Sequence, residues 1–371
     1  MGSMENLLAV FADLTDPRVE RAREHLLEEI LWITIAAVLC GADSWNDIES
    51  YAETKRPWLE TFLQLPGGIP SHDTFNRVFS ALDPEELESC FLAWVGRVAQ
   101  LSAGEVVSID GKALRGSRQA GKKAIVHMVS AWASENRLVL GQRKVDDHSN
   151  EITAIPQLLQ VLALKGCVVT IDAIGCQKSI AQQIVHQQAD YLLAVKENQG
   201  DLLAGIRDSF RFLSPASVAQ QVDAGHGRVE TRTCAVIEDV SMIEKAQQWA
   251  GLHCLVRLEA ERYSKSTGET ERETRYYIGS LSSDAQGINR AIRQHWGIEN
   301  SLHWVLDVAF AEDHSRKRAG HAAQNFSVMT RLALNLLKRD TSVKRSIKGK
   351  RLKAGWDNVY LATILQQLEV V

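Results

Sequence analysis

Along the first hundred residues apolar positions recur at helical spacing, so residues 5–100 read as a helical region. Asp16-Pro17 predicts the start of a charged helix, Arg18 to Glu29, that runs into the apolar Ile30–Cys40 segment and stops at Gly41. Asp43 or Ser44 can cap the next helix, which carries Ile48 and Tyr51. Pro66-Gly67-Gly68 is a break. After it, Ser71 opens a short helix through Phe79, and Asp83-Pro84 opens another with Leu87, Phe91 and Trp94 on its apolar face. His72, Asn76 and Arg77 on a short helix between sharp breaks resemble a helix-turn-helix that touches DNA; packing alone is the plainer account.

From residue 101 the pattern changes to short β-branched runs. Val106-Val107-Ser108-Ile109-Asp110-Gly111 and Val168-Val169-Thr170-Ile171-Asp172-Ala173 share one grammar: an apolar run, a hydroxyl, Ile, then Asp and a small residue. Ala124–Ala133 and Leu138–Val145 read as two strands joined by the tight Ser134-Glu135-Asn136-Arg137 turn. A helix is expected over Pro156–Leu164, another over Gln177–Gln188, and a strand over Tyr191–Val195. Three antiparallel strands followed by parallel strand–helix–strand is the order of a ribonuclease-H-like sheet. That order makes the two Asp strands neighbours, about 5 Å apart.

Residues 197–283 break this rhythm with three expected strands, Gly225–Ile237, Leu252–Ala260 and Thr274–Leu281, and read as a β-rich insertion. Helical spacing resumes at Asp284. Ile288, Ile292, His295, Glu299, His303 and Asp307 fit one continuous helix, and a second covers Ala322–Leu337. The fold class expected is therefore α+β: a helical region 5–100, a mixed-sheet core 101–196, the insertion 197–283, helices 284–340 completing the core, and a basic tail 341–371.

Composition changes the picture little. The chain has 371 residues, is 45% hydrophobic and 24% charged, and carries a net charge of -4, so any nucleic-acid contact must rest on local basic patches. Six cysteines show neither a CxxC pair nor zinc-like spacing and read as small core residues in a reducing compartment. Ile30–Cys40, the longest apolar stretch, is too short to span a bilayer, and no signal peptide precedes it. The opening Met1-Gly2-Ser3-Met4 reads as a cloning remnant.

The chemistry is concentrated in carboxylates. One Asp after a buried strand most simply caps the following turn; a matched pair at one sheet edge suits two divalent metals roughly 4 Å apart. His295, Glu299, His303 and Asp307 step by four along one helix ridge, with Trp296, Asn300 and Trp304 on the ridge beside it. Glu299 reads as the third metal-binding carboxylate, with Asp307 as its rival, and His295 and His303 as phosphate contacts or as groups that orient the carboxylate. A zinc site on His295, Glu299 and His303 is an open alternative, although oxygen ligands favour magnesium or manganese.

Several longer stretches resemble one family. Ile109-Asp110-Gly111-Lys112, Ser149 through Pro156, Asp172 through Lys178, Ala194 through Gln199, His226 through Arg232 and His295 through Asn300 are similar to the DDE transposases of insertion sequences, closest to the H-repeat-associated group linked to Rhs elements. The resemblance implies a ribonuclease-H-like core with Asp110, Asp172 and Glu299 as its acidic triad, a β-rich insertion and an amino-terminal accessory domain. It implies two-metal phosphoryl transfer with Mg2+ or Mn2+, two ions per site, on double-stranded DNA (element ends and target). A homodimer or larger assembly on DNA is expected, in the bacterial cytoplasm at the nucleoid and without a membrane partner. DNA phosphates are expected at Lys112, Arg115, Lys178 and Lys196, then at His226, Arg228, Arg232, Arg293, His295, His303, Arg316, Lys317 and Arg318. Two other classes stay open: a domesticated or inactive DNA-binding or nicking derivative, and a hydrolase of small phosphate esters, which needs a closed pocket.

Overall fold

The computed structural model describes residues 9–118, 125–146, 149–225 and 227–368. Nine strands form one mixed sheet: β1 Val106–Ala113, β2 His127–Ala133, β3 Leu138–Val145, β4 Val168–Ile171, β5 Asp190–Val195, β6 Ser217–Gly225, β7 Arg228–Ile237, β8 Cys254–Ser264 and β9 Thr270–Gly279. Their order is β3-β2-β1-β4-β5-β9-β8-β7-β6. β4 lies parallel to β1 and to β5, and every other neighbouring pair is antiparallel. Parallel strands must be covered on both faces, which is why β4 is buried throughout and apolar but for Thr170.

The 197–283 region departs from expectation in two ways. It contains a helix, α8 (Gly200–Phe212), and the strand β6, and β9 pairs with β5, so its strands extend the main sheet. β6 escapes a pattern search because it is an edge strand wetted over most of its length, with no buried face to force alternation.

The helices before the sheet are α1 (Leu27–Leu39), α2 (Trp45–Thr54), α3 (Arg56–Leu59), α4 (His72–Ala81) and α5 (Pro84–Val98). The expected Arg18–Glu29 helix does not form. Arg18 instead forks onto Asp16 and donates to the His25 carbonyl at 2.8 Å, folding the chain back, and only Glu20–Ala22 makes a single tight turn. α1 is buried nearly all round, as a helix apolar on every side must be. It packs against α11 (Ala322–Arg339) and α12 (Ile347–Trp356), so both ends of the chain share one core. Ser44 caps α2 through a capping box with Asp47, and Ser71 and Asp83 cap α4 and α5.

Three further expectations need correction. The helix α6 runs Glu151–Gln160, not Pro156–Leu164: Asn150 caps it by accepting from Ile152 N at 3.0 Å, and Pro156 sits inside it. α7 (Lys178–His186) is close to its expected range. The long helix from Asp284 is broken into α9 (Ala285–His295), a π-helical turn (Glu299–His303) and α10 (Trp304–Phe310). The basic tail is folded as α12 and α13 (Asn358–Leu365), with Lys350 and Arg351 buried. Lys350 donates to the Leu337 carbonyl at 2.8 Å; Arg351 donates to the Val38 carbonyl and pairs with Asp43 at 2.9 Å. No helix among the described residues is long and apolar enough to cross a membrane.

Candidate active site

Register places the first two acids. Ile109 pairs with Ile171 across the parallel β1–β4 ladder, so Asp110 and Asp172 come next at the same level. Asp172 ends its strand and opens a tight turn, accepting from Ile174 N at 3.2 Å. The hydroxyls of the repeated grammar lie beneath them: Thr170 Oγ1 is 3.3 Å from Ser108 Oγ and 2.9 Å from His295 Nδ1. That bond ties α9 to both strands. Ile288, Ala291 and Ile292 of α9 meanwhile pack in one cluster with Val106, Val168 and Leu192. His295 is thus partly buried against the sheet, and burial lowers its pKa to about 4, so the ring is neutral.

The π turn then delivers Glu299 and His303 to Asp110. His303 Nδ1 lies 3.4 Å from Asp110 Oδ2 and 3.6 Å from Glu299 Oε2, and one donor atom from each of the three residues falls within 4.8 Å of the others. A π turn carries one residue more than a regular helical path needs. Here it lets Leu302 stay in the core while Glu299, half-exposed, leans over the strand end. Burial, then Arg331 and Lys112 nearby, lower the His303 pKa to about 3; its other nitrogen, Nε2, is buried without a partner. Burial, then the charges of Glu299, Asp172 and Glu151, raise Asp110 to about 7. Asp172 is raised by burial and by Glu151, against the opposing pull of Lys196. Among the described residues no Lys or Arg forms an ion pair with Asp110, Asp172 or Glu299. A donor set of two carboxylates and a neutral imidazole, without a protein cation among them, fits a divalent metal.

Sequence reasoning missed Glu151. It lies at the first turn of α6, with Nε2 of His127 at 3.1 Å, and its carboxylate fills the space a Cβ on Gly111 would need. The signal was present: Asn150 followed by an acidic residue marks a helix start. Pro156 drew the expected start downstream.

The expected cationic contacts fall into distinct settings. Lys112 is held by Asp307 at 2.6 Å and by Asp313 at 3.4 Å, which also takes Asp307 out of the carboxylate group. Exposed positions are Arg115, Lys196, Arg228, Arg293, Arg316 and Arg318; Arg318 also donates to the Gly116 carbonyl at 2.9 Å. Lys178 bonds Gln248 and lies over Trp249. Arg232 is buried and paired with Asp223. Lys317 is buried too, donating to the Asp43 carbonyl at 2.6 Å above the Phe326 ring, and burial lowers its pKa to about 8. His226 lies outside the described residues. Beside Glu299 opens a cleft of about 240 Å³ lined by Arg232, Arg262, Arg275, Arg293, Trp296 and Asn300, with Arg275 stacked 4.3 Å over the Trp296 ring.

Comparison with known proteins gives a consistent result. Residues 101–336 match the model described as "Transposase DDE domain", and residues 8–95 match one described as "DDE_Tnp_1-associated". The chain is 40% identical over 373 residues to "Putative transposase YncI" of Escherichia coli O157:H7, covering 98% of this chain and 95% of that protein. It is 38% identical to "H repeat-associated putative transposase YhhI" of E. coli K12, covering 98% of each. A shorter match, 46% over 56 residues, is to "Inactive transposase YbfQ" of the same strain.

Proposed function

The chain belongs to the DDE transposase family, and from that premise we propose that it cleaves DNA at the ends of a mobile element and joins the freed 3′-hydroxyls to target DNA. One observation carries the reading: two carboxylates leave adjacent parallel strands in register, and the π turn brings a third and a neutral histidine to the first of them, Asp110. The strand order β3-β2-β1-β4-β5 with its two parallel pairings supports a ribonuclease-H-like core.

The family typically uses a divalent metal. Asp110, Asp172 and Glu299 would hold it, with His303 as a nitrogen ligand or as the group that orients Asp110 and Glu299. When bound, two Mg2+ or Mn2+ ions supply activation of the attacking oxygen and stabilisation of the leaving one. The chain's own residues do the rest. Neutral His303 adds no positive charge beside Asp110 and Glu299 and has a lone pair to offer a cation. Lys112 holds Asp307 aside. Lys196 beside Asp172, with Arg115, Arg228, Arg293, Arg316 and Arg318, presents positive charge to phosphates. We place the enzyme on chromosomal DNA in the cytoplasm, as a dimer or larger assembly that pairs two element ends.

The test uses labelled duplex from the DNA flanking the gene, with Mg2+. The wild type is expected to release a 3′-hydroxyl end and transfer it, and Asp172→Ala to do neither while still binding. Cleavage that survives excess chelator, or survives Asp172→Ala, would sink the reading.

A further inference from the structure

We propose that the open edge of β6 is an interface between two copies of this chain, which add their β6 strands to one another, antiparallel, across a two-fold axis. The inference stands whether or not the chain cleaves DNA, and it supplies a contact for the assembly proposed above.

The sheet has two edges, and the fold treats them differently. The β3 edge is sealed. α5, α6 and α11 pack against that strand, which is buried over most of its length. Asn335 of α11 accepts from the Val139 N–H at 2.8 Å and donates to the Val139 carbonyl at 2.9 Å, standing in for a neighbouring strand. The β6 edge has no such cover. β6 pairs with β7 on one side, and among the described residues no strand lies on the other. An edge strand presents a row of backbone N–H and C=O groups to whatever extended chain arrives.

The side chains of β6 fit that use. Its inner face turns toward α9: Ser217 Oγ accepts from Ala285 N at 3.2 Å, Ala219 packs on the cluster of Ile288 and Ile292, and Asp223 pairs with Arg232. Its outer face carries Val218, Gln220, Val222 and Ala224, with Val218 60% and Val222 59% exposed. Soluble proteins usually guard such an edge with lysine, proline or a bulge. The nine residues of β6 include no Lys, Arg, Glu or Pro, and the strand keeps unbroken register with β7 from Ser217 to Gly225. A phosphate backbone would find no cation on this strand.

A second β6 finds a match. A two-fold axis through Gln220 sets Val218 of each copy opposite Val222 of the other, Ala219 opposite Gln221, and Ser217 opposite Asp223. Apolar side chains then meet on the outer face, and no like charges face each other. Such self-complementarity is what a two-fold interface requires.

The test is sedimentation equilibrium of the full chain, without DNA or metal, carried to about 100 µM because an interface of one strand a side is small. The wild type is expected to form a reversible dimer. A chain carrying both Val218→Lys and Val222→Lys sets lysine opposite lysine twice and should dimerise at least about tenfold more weakly. Its melting temperature, taken at a dilution where both proteins are monomers, should not change. Gln220→Cys puts the two thiols across the axis, and a short bis-maleimide should join the copies. Ser266→Cys, in the turn between β8 and β9, should stay unjoined under the same treatment. The cysteine pair decides the matter if the lysine variant misfolds. A wild type that remains monomeric overturns the proposal, as does a folded lysine variant that dimerises within twofold of wild type. A dimer whose Gln220→Cys form stays unjoined, or is joined no better than Ser266→Cys, overturns it too. None of these results touches the cleavage reading, which is tested separately on DNA with Mg2+.

Discussion

The strand-end acids and the carboxy-terminal basic helices look alike in sequence, as clusters of one sign of charge, yet the fold treats them oppositely. Asp110 and Glu299 meet at His303, and no Lys or Arg is paired to either of them or to Asp172 among the described residues. Lys350 and Arg351 are spent inside the protein, on backbone carbonyls and on Asp340 and Asp43. Arg331 likewise pairs with Glu312 deep in the core. Uncompensated charge at an accessible edge calls for a ligand. Compensated charge in the interior is architecture, and breaking it costs stability.

The contrast can be attacked first at Asp110. Asp110→Asn is expected to lower cleavage by at least about a thousandfold, on the order of 4 kcal/mol of barrier, yet to melt higher than the wild type in chelator at pH 8. The sign comes from the raised pKa. The folded group titrates near 7 instead of 3.8, so the stability it contributes is complete below pH 3.8 and is lost as pH rises through about 7. The variant's advantage should open across that window and level off above it, at roughly 1–4 kcal/mol with the side chain partly exposed. Urea melts of both proteins from pH 4 to 8 check this; an Asn variant that melts lower at pH 8 would mean Asp110 is a structural group.

Next come the interior cations. Arg331→Ala leaves Glu312 buried without its partner and should cost about 3–5 kcal/mol, and Arg351→Ala a similar amount. Denaturant midpoints measure both. A loss under 1 kcal/mol would place these arginines with the exposed charges.

The exposed remainder of the basic segment is a smaller lever. Replacing Lys344, Arg345 and Lys348 with Gln should flatten the slope of log affinity against log salt by about 0.9 for each phosphate no longer neutralised, at most about 2.7. An unchanged slope would assign the whole segment to solvent and core. The smallest effect is expected at His72, which pairs with Glu49 at 2.7 Å on the surface of α4. His72→Ala should change stability by no more than about 0.5 kcal/mol. A larger loss of DNA affinity, measured alongside, would give α4 a role at the DNA.

Legibility in the sequence tracked physical constraint. The two Asp strands were legible because burial on both faces forces a β-branched run, and register then aligns the acids at their ends. Glu299 was legible by its ridge with His303, a spacing that the π turn preserves. Glu151 was not, since nothing local in Ser149-Asn150-Glu151 says which strand end a helix start will face. Arg232, Lys317 and Lys350 were expected at DNA phosphates or on a basic surface, and each is buried; a basic side chain carries no mark in sequence of whether a carbonyl or a phosphate will meet it. The edge strand β6 was invisible for want of a buried face.

The π turn at Glu299–His303 also bears on how such an element ages. Because the turn holds one residue beyond a regular helical path, losing a single codon there lets α9 and α10 join as plain helix while the rest of the core keeps its packing. A three-nucleotide deletion would then silence the copy without unfolding its product. If the chain acts on DNA as proposed, that product would still occupy element ends and compete there with any intact copy.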